Sequence, residues 1–160
     1  MVILVMGVTG AGKTTVGALL AQGLGWTFLD ADDFHSAANR EKMHRDIPLD
    51  DADRAPWLNS IHRELVRRDE KGENVVLACS ALKESYRETL SSGLDMKIVF
   101  LSGSTEQLHK HLAGRTDHFA GENLVPSQLA VLEEPSAAIV EDVARTPEEI
   151  VRNIRSRLGL

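Results

Sequence analysis

The stretch Gly7-Val8-Thr9-Gly10-Ala11-Gly12-Lys13-Thr14 constrains this chain more than any other. It satisfies the pattern G-x-x-x-x-G-K-[ST] at every fixed position. Ahead of it runs Val2-Ile3-Leu4-Val5-Met6, short, fully apolar and rich in β-branched residues, as a parallel strand buried on both faces must be. Behind it Val16, Leu19 and Leu20 recur at helical spacing, and Gly23 and Gly25 supply stop signals. A strand, a glycine loop and a helix in this order make a phosphate cradle. Gly7, Gly10 and Gly12 permit backbone conformations that turn several N–H groups of the loop, those of Val8, Thr9 and Ala11 among them, toward one anion. The positive end of the helix dipole points at the same place. Lys13 is then expected to reach the β- and γ-phosphates of a nucleotide, and the Thr14 hydroxyl to ligate magnesium.

An acidic chain that binds an anionic nucleotide must gather its cations locally. The formal net charge is -6 and aromatic residues make up only 4%. With no basic stripe and no aromatic platform, nucleic-acid binding is not expected. The 160 residues suit a single domain, 1–160, with a sizeable core. The lone Cys79 forms no internal disulfide, no cysteine pair offers a zinc site, and no apolar run is long enough to span a bilayer. With no leader-like segment either, the expectation is a cytoplasmic protein without a membrane partner.

Along the chain, Trp26–Asp30 is expected as a second strand, ending in Asp30-Ala31-Asp32-Asp33-Phe34-His35. Three acids at the carboxyl end of a strand fall where ligands bind in open α/β sheets. Ser36 to Asp53 is polar and irregular, suited to a substrate-covering insert. A helix follows from about Asp51–Asp53 to Gly72, with Pro56 in its first turn and Trp57, Ile61 and Leu65 as its apolar stripe. Val75–Cys79 and Lys97–Leu101 are the third and fourth strands. Lys83 and Arg87, four residues apart, follow the third strand and are placed to hold an anion. Ser104-Thr105-Glu106-Gln107 has the form of a capping box, and His109 and His111 in the helix it opens are expected to be exposed. Arg115 to Gly121 is a loop with a cation at its root, and a further helix opens at Pro126. Ala137–Val140 is a weak fifth strand, and Thr146-Pro147-Glu148-Glu149 starts the last helix. Alternating strands and helices predict an α/β fold, an open parallel five-stranded sheet with helices on both faces.

Beyond the phosphate loop, four stretches narrow the assignment. They are Asp30–His35 with Asn39 and Lys42-Met43; Ile47-Pro48-Leu49 with Asp51, Asp53-Arg54 and Pro56-Trp57-Leu58; Cys79–Lys83 with Tyr86-Arg87; and His118-Phe119 with Ser127-Gln128 and Leu132-Glu133. Together they resemble the gluconate kinases, small P-loop kinases related in fold to shikimate and adenylate kinases. The resemblance implies transfer of the γ-phosphoryl of ATP to the 6-hydroxyl of D-gluconate with Mg²⁺. It also implies a sheet order of 2-3-1-4-5, a substrate-binding insert (about 35–60), a lid (about 114–126) and commonly a homodimer. The chain departs from the family where glycine is usual at Ala31, proline at Ser36, glycine at Asp46 and often arginine at His111.

On that resemblance, Lys13 and the loop amides hold the phosphates, Thr14 ligates Mg²⁺ and Asp30 orders its waters. Asp32 orients the sugar hydroxyl and accepts its proton late. Arg54, Lys83 and Arg87 are the candidates for the gluconate carboxylate, and His35 and Gln128 for its hydroxyls, with His118 also on the substrate side. Arg115 closes over the phosphates as a catalytic cation. Two alternatives stay open at this stage: a kinase of the same architecture for another small acid such as shikimate, and a nucleotide-binding regulatory module without catalysis.

Overall fold

A computed structural model of the chain describes residues 1–114 and 124–160. The apolar run Val2–Met6 is its central strand, β1, and every residue of it is buried. The helix α1 (Lys13–Leu24) leaves the glycine loop and ends at Gly25, a left-handed cap with φ 68°. β2 (Thr27–Asp30) leads through a 3-10 turn (Ala31–Phe34) to α2 (Ala37–His44) and α3 (Asp51–Glu70). β3 (Val75–Ala78), α4 (Glu84–Ser91), β4 (Met96–Ser102) and α5 (Thr105–Ala113) follow. After the undescribed stretch come α6 (Leu124–Val131), β5 (Ile139–Asp142) and α7 (Pro147–Leu158).

The five strands are all parallel, in the order β2-β3-β1-β4-β5 that the resemblance implied. β1 lies between β3 and β4, with Leu4 opposite Leu77 and Ile98. Alternation along the strands divides the core in two. Ile3, Val5, Val76, Val99 and Leu101 face α1, α5 and α7, whose Leu20, Leu108, Leu112, Ile150 and Ile154 cover them. Val2, Leu4, Met6, Val75 and Leu77 face α3 and α4, through Trp57, Ile61, Leu65, Tyr86 and Leu90. Helices on both faces are what continuous apolar strands require. Among the described residues, no helix is long and apolar enough to cross a membrane.

Two expectations change. The segment from Ser36 to Asp53 is not irregular throughout, because Ser36 accepts from the Asn39 N–H and caps α2. α2 is then pinned to the start of α3. Lys42 Nζ bonds both carboxylate oxygens of Asp53, at 3.0 and 2.9 Å, and Asn39 Nδ2 donates to the Asp53 carbonyl at 3.0 Å. The apolar content of α2 is too low for a periodic signal, so long-range polar contacts decide it. Asp46, just past α2, has φ 56°, a left-handed conformation that glycine adopts without penalty. The fifth strand lies two residues later than expected. It carries the buried Glu141, satisfied by Asn153 Nδ2 on α7, and an acidic residue does not announce an inward-facing strand position.

Helix α5 braces the phosphate loop. At Gly10, where φ is 83°, an added Cβ would stand 2.8 Å from the Leu108 carbonyl oxygen and 3.0 Å from Leu112 Cγ. His111 Nδ1 lies 2.9 Å from the Gly10 carbonyl oxygen, and His109, expected to be exposed, is partly buried with its Nε2 enclosed. Gly10→Ala is therefore expected to destabilise the fold by about 2–4 kcal/mol, from left-handed strain plus a contact with backbone that cannot retreat. Urea denaturation monitored by circular dichroism measures it, and an unchanged midpoint would refute the bracing.

Candidate active site

The carboxyl ends of β1, β2 and β3 open into a cleft of about 460 Å³. The phosphate loop forms one part of it. Gly12 is the N-cap of α1 with φ 91°, no side chain caps the helix, and an added Cβ at Gly12 would meet nothing within 4 Å. The first amides of α1 thus have no side-chain cap, the arrangement that receives an anion. Lys13 Nζ donates to the Val8 carbonyl at 3.0 Å, curled over the loop. The Thr9 N–H donates to Gln128 Oε1 at 2.7 Å, which ties α6 to the loop.

Asp30 and Thr14 meet beside this loop. The Thr14 hydroxyl donates to Asp30 Oδ2 at 2.9 Å, and the other Asp30 oxygen accepts from the Asp32 N–H at 3.0 Å. The second bond caps the 3-10 turn and sets the direction of Asp32. Among the described residues, no group of three or more His, Cys, Asp or Glu side chains could hold a metal ion. A hydroxyl and one carboxylate instead match Mg²⁺, which keeps several waters and takes further oxygens from phosphates.

Asp32 lines the cleft, open to solvent there but backed by protein. Desolvation first, and then the negative charge of Asp30, push its carboxyl above the usual carboxylate range, with Lys13 pulling the other way. The carboxyl therefore holds a proton more readily than an ordinary aspartate.

The part of the cleft made by α3 and α4 is built around aromatic rings. His35 stacks on Trp57 with centroids 4.3 Å apart and planes at 11°. Trp57 Nε1 donates to the Ala31 carbonyl at 2.7 Å, which locks the stack to the 3-10 turn. Burial, with Arg40 and Arg54 nearby, lowers the His35 pKa to about 4, so the ring is neutral at pH 7 and acts as a hydrogen-bonding group rather than a cation. Across from it, Arg54 Nη1 donates to the Tyr86 hydroxyl oxygen at 3.3 Å, and the Tyr86 hydroxyl donates to Asp51 Oδ1. Lys83 Nζ stands 3.1 Å from the same oxygen. The Tyr86 and Lys83 bonds hold the Asp51 carboxyl below its ordinary range, and Asp51 in turn raises Lys83.

Of the residues anticipated from sequence, the cleft collects Thr9, Gly10, Gly12, Lys13 and Thr14 from the loop region. It also collects Asp30, Asp32, His35, Arg54, Lys83 and Gln128. It does not collect Arg87. Lys83 caps α4 rather than belonging to it, and Arg87 turns inward, 2% exposed. Its guanidinium donates to the carbonyls of Ala81 at 2.7 Å and Glu133 at 2.8 Å, and to Glu84 at 2.9 Å. Its two terminal nitrogens are spent on these partners and its Nε is enclosed without one, so it fastens α4 to the segment after α6 rather than lining the cleft. Arg115 and His118 lie outside the described residues. Asp51, Trp57 and Tyr86 entered from sequence only within the stretches that carry the resemblance, Trp57 also in the apolar stripe of its helix, and none was given a site role. The signal for Asp51 was its spacing of three from Arg54, which puts both on one face of α3.

Comparison with known proteins places this geometry in context. The family profile described as an AAA domain matches residues 2–135. The chain is 49% identical over 134 residues to a gluconokinase of Gluconobacter oxydans, covering 83% of this chain and 75% of that one. It is 43% identical to a gluconokinase of Arabidopsis thaliana, covering 96% and 89%. Among solved structures, a gluconokinase from Sinorhizobium meliloti superposes with a TM-score of 0.89 at 41% identity, covering 98% of this chain and 90% of that one. A shikimate kinase from Bacteroides thetaiotaomicron, at 21% identity and a TM-score of 0.71 with coverage of 100% and 99%, shares the fold.

The His35 environment makes a direct prediction. A ring proton titration followed by NMR should show a His35 midpoint near 4. The unfolded chain protonates this group near its ordinary value of about 6.5. Stability therefore falls as the pH drops from about 6.5 to about 4, because the unfolded state binds the extra proton first. A midpoint near the ordinary value would remove the desolvated stack from the picture.

Proposed function

The chain belongs to the gluconokinase family, and from that membership together with the cleft we infer that it phosphorylates D-gluconate on its 6-hydroxyl with the γ-phosphoryl of ATP. The observation that carries this reading is that one cleft joins a phosphate loop to a second set of cations, Arg54 and Lys83, with Asp32 in the same lining. A loop alone binds a nucleotide. The added cations and the hydrogen-bonding groups His35 and Gln128 suit an acceptor that is a polyhydroxy carboxylate.

The residues divide the work. The loop amides and Lys13 bind the β- and γ-phosphates, and charge developing on the transferred group is met by donors that are already in place. Thr14 and Asp30 would hold Mg²⁺, which when bound offsets phosphate charge. Asp32 orients the acceptor hydroxyl and takes its proton as the oxygen–phosphorus bond forms and the bond to the leaving diphosphate breaks. Its raised proton affinity suits that late transfer, since a loose transition state asks little of the nucleophile. Arg54 and Lys83 hold the carboxylate, and neutral His35 donates or accepts at a hydroxyl.

Release of ADP from ATP and Mg²⁺, measured with gluconate, shikimate and other aldonates, tests the assignment. Turnover with gluconate is expected, and turnover with shikimate alone would replace the acceptor. Lys13→Ala should lower kcat on the order of a thousandfold, as loss of a transition-state charge clamp does. Asp32→Asn should lower kcat while ATP affinity, read by calorimetry, stays close to that of the unsubstituted protein. Full activity in Asp32→Asn would remove the proton-accepting role.

A further inference from the structure

Asp51 is a charged residue of the cleft to which the reaction assigns nothing. It stands in the first turn of α3 with its side chain 70% exposed. Its Oδ1 accepts from Lys83 Nζ at 3.1 Å and from the Tyr86 hydroxyl, while Oδ2 lies 3.4 Å from the same ammonium. Arg54 reaches the Tyr86 oxygen from the next turn of α3, and the Arg54 guanidinium and Lys83 ammonium each lie 5.6 Å from the Tyr86 ring centroid. Two cations therefore flank one phenol, and a carboxylate of the protein itself bridges the phenol to one of them.

A carboxylate held by an ammonium and a phenol beside a guanidinium has the contacts that the carboxylate of a sugar acid needs. We propose that Asp51 is an internal counter-ion seated in the acceptor's carboxylate subsite, and that the incoming carboxylate replaces it on Lys83 and Tyr86. The inference rests on reading the cleft as a gluconate site. Three features suit Asp51 to exchange rather than to permanent bracing. Its exposure lets it regain hydration when it leaves. Its hold on Lys83 is uneven, at 3.1 Å from one oxygen and 3.4 Å from the other. Its place at the start of α3 keeps the negative charge favourable against the helix dipole after release. The exchange selects for charge. An acceptor with a carboxylate offers Lys83 and Tyr86 a substitute partner, whereas a neutral polyol leaves the internal pair closed. The affinity for the acid thus contains the work of displacing Asp51.

Asp51→Asn removes the competing charge and keeps the shape. The expected result is a KM for gluconate lower by about two- to fivefold, the range that an exposed ion pair commands. The KM for ATP should stay within error. In a Lys83→Met background the same substitution should lower the gluconate KM by less, because Lys83 supplies one of the two contacts for which Asp51 competes and only the Tyr86 contact remains. Calorimetric titration of gluconate without nucleotide should reproduce the order of the variants. If Asp51→Asn raises the gluconate KM or leaves it unmoved, Asp51 braces the pocket and the exchange is wrong. If Lys83→Met and Arg54→Ala both leave the gluconate KM unmoved, the carboxylate is held elsewhere and the reading of the cleft fails instead.

Discussion

Everything in this molecule is arranged around a helix that starts without a side-chain cap. α1 begins at a left-handed glycine, at the carboxyl end of the most buried strand of the sheet, with no side chain to satisfy its first N–H groups. Unmet donors at a helix start are a cost in an isolated protein and a binding site for an anion. The loop keeps its shape because α5 packs on Gly10 and because β1, buried on both faces, fixes where the loop leaves the sheet. Gln128 and Lys13 meet two of the loop's polar groups from within the chain.

The acceptor side obeys a different constraint. Acids crowd it, since Asp30, Asp32, Asp46, Asp50 and Asp51 all line the cleft against Lys13, Arg54 and Lys83. Such a site can accept an anion only where cations are concentrated, and the Tyr86 ring gathers two of them. The neutral His35 matters for the same reason. Stacked on Trp57 and desolvated, it supplies a polar contact without adding a charge.

Local signals carried a great deal of the fold. The apolar β1, the capping serine and glutamine of α5 and the proline at the start of α7 are short-range features, and each element forms where those residues stand. α2 was not legible, because what holds it is Lys42 and Asn39 reaching Asp53, residues separated by the turn between two helices. β5 was displaced because its buried Glu141 finds its partner on α7. That Lys13, Thr14, Asp30 and Asp32 line one cleft was legible from their spacing to a strand end. Arg87 misled, since a cation four residues from Lys83 is indistinguishable in sequence from one that turns inward to cap carbonyl groups.

The amino-acid sequence by itself determined the phosphate loop, the alternation of strands and helices, and the family to which the chain belongs. These depend on residues within a few positions of one another, where backbone freedom, periodicity and capping act directly. Tertiary structure decided which charges face the cleft and which are spent on the fold. Lys83 meets Asp51 across 32 positions, and Arg87 meets the Glu133 carbonyl across 46. No local rule sets those pairings, because they follow from how α3, α4 and the segment after α6 pack beside a sheet whose strand order differs from the order of the chain.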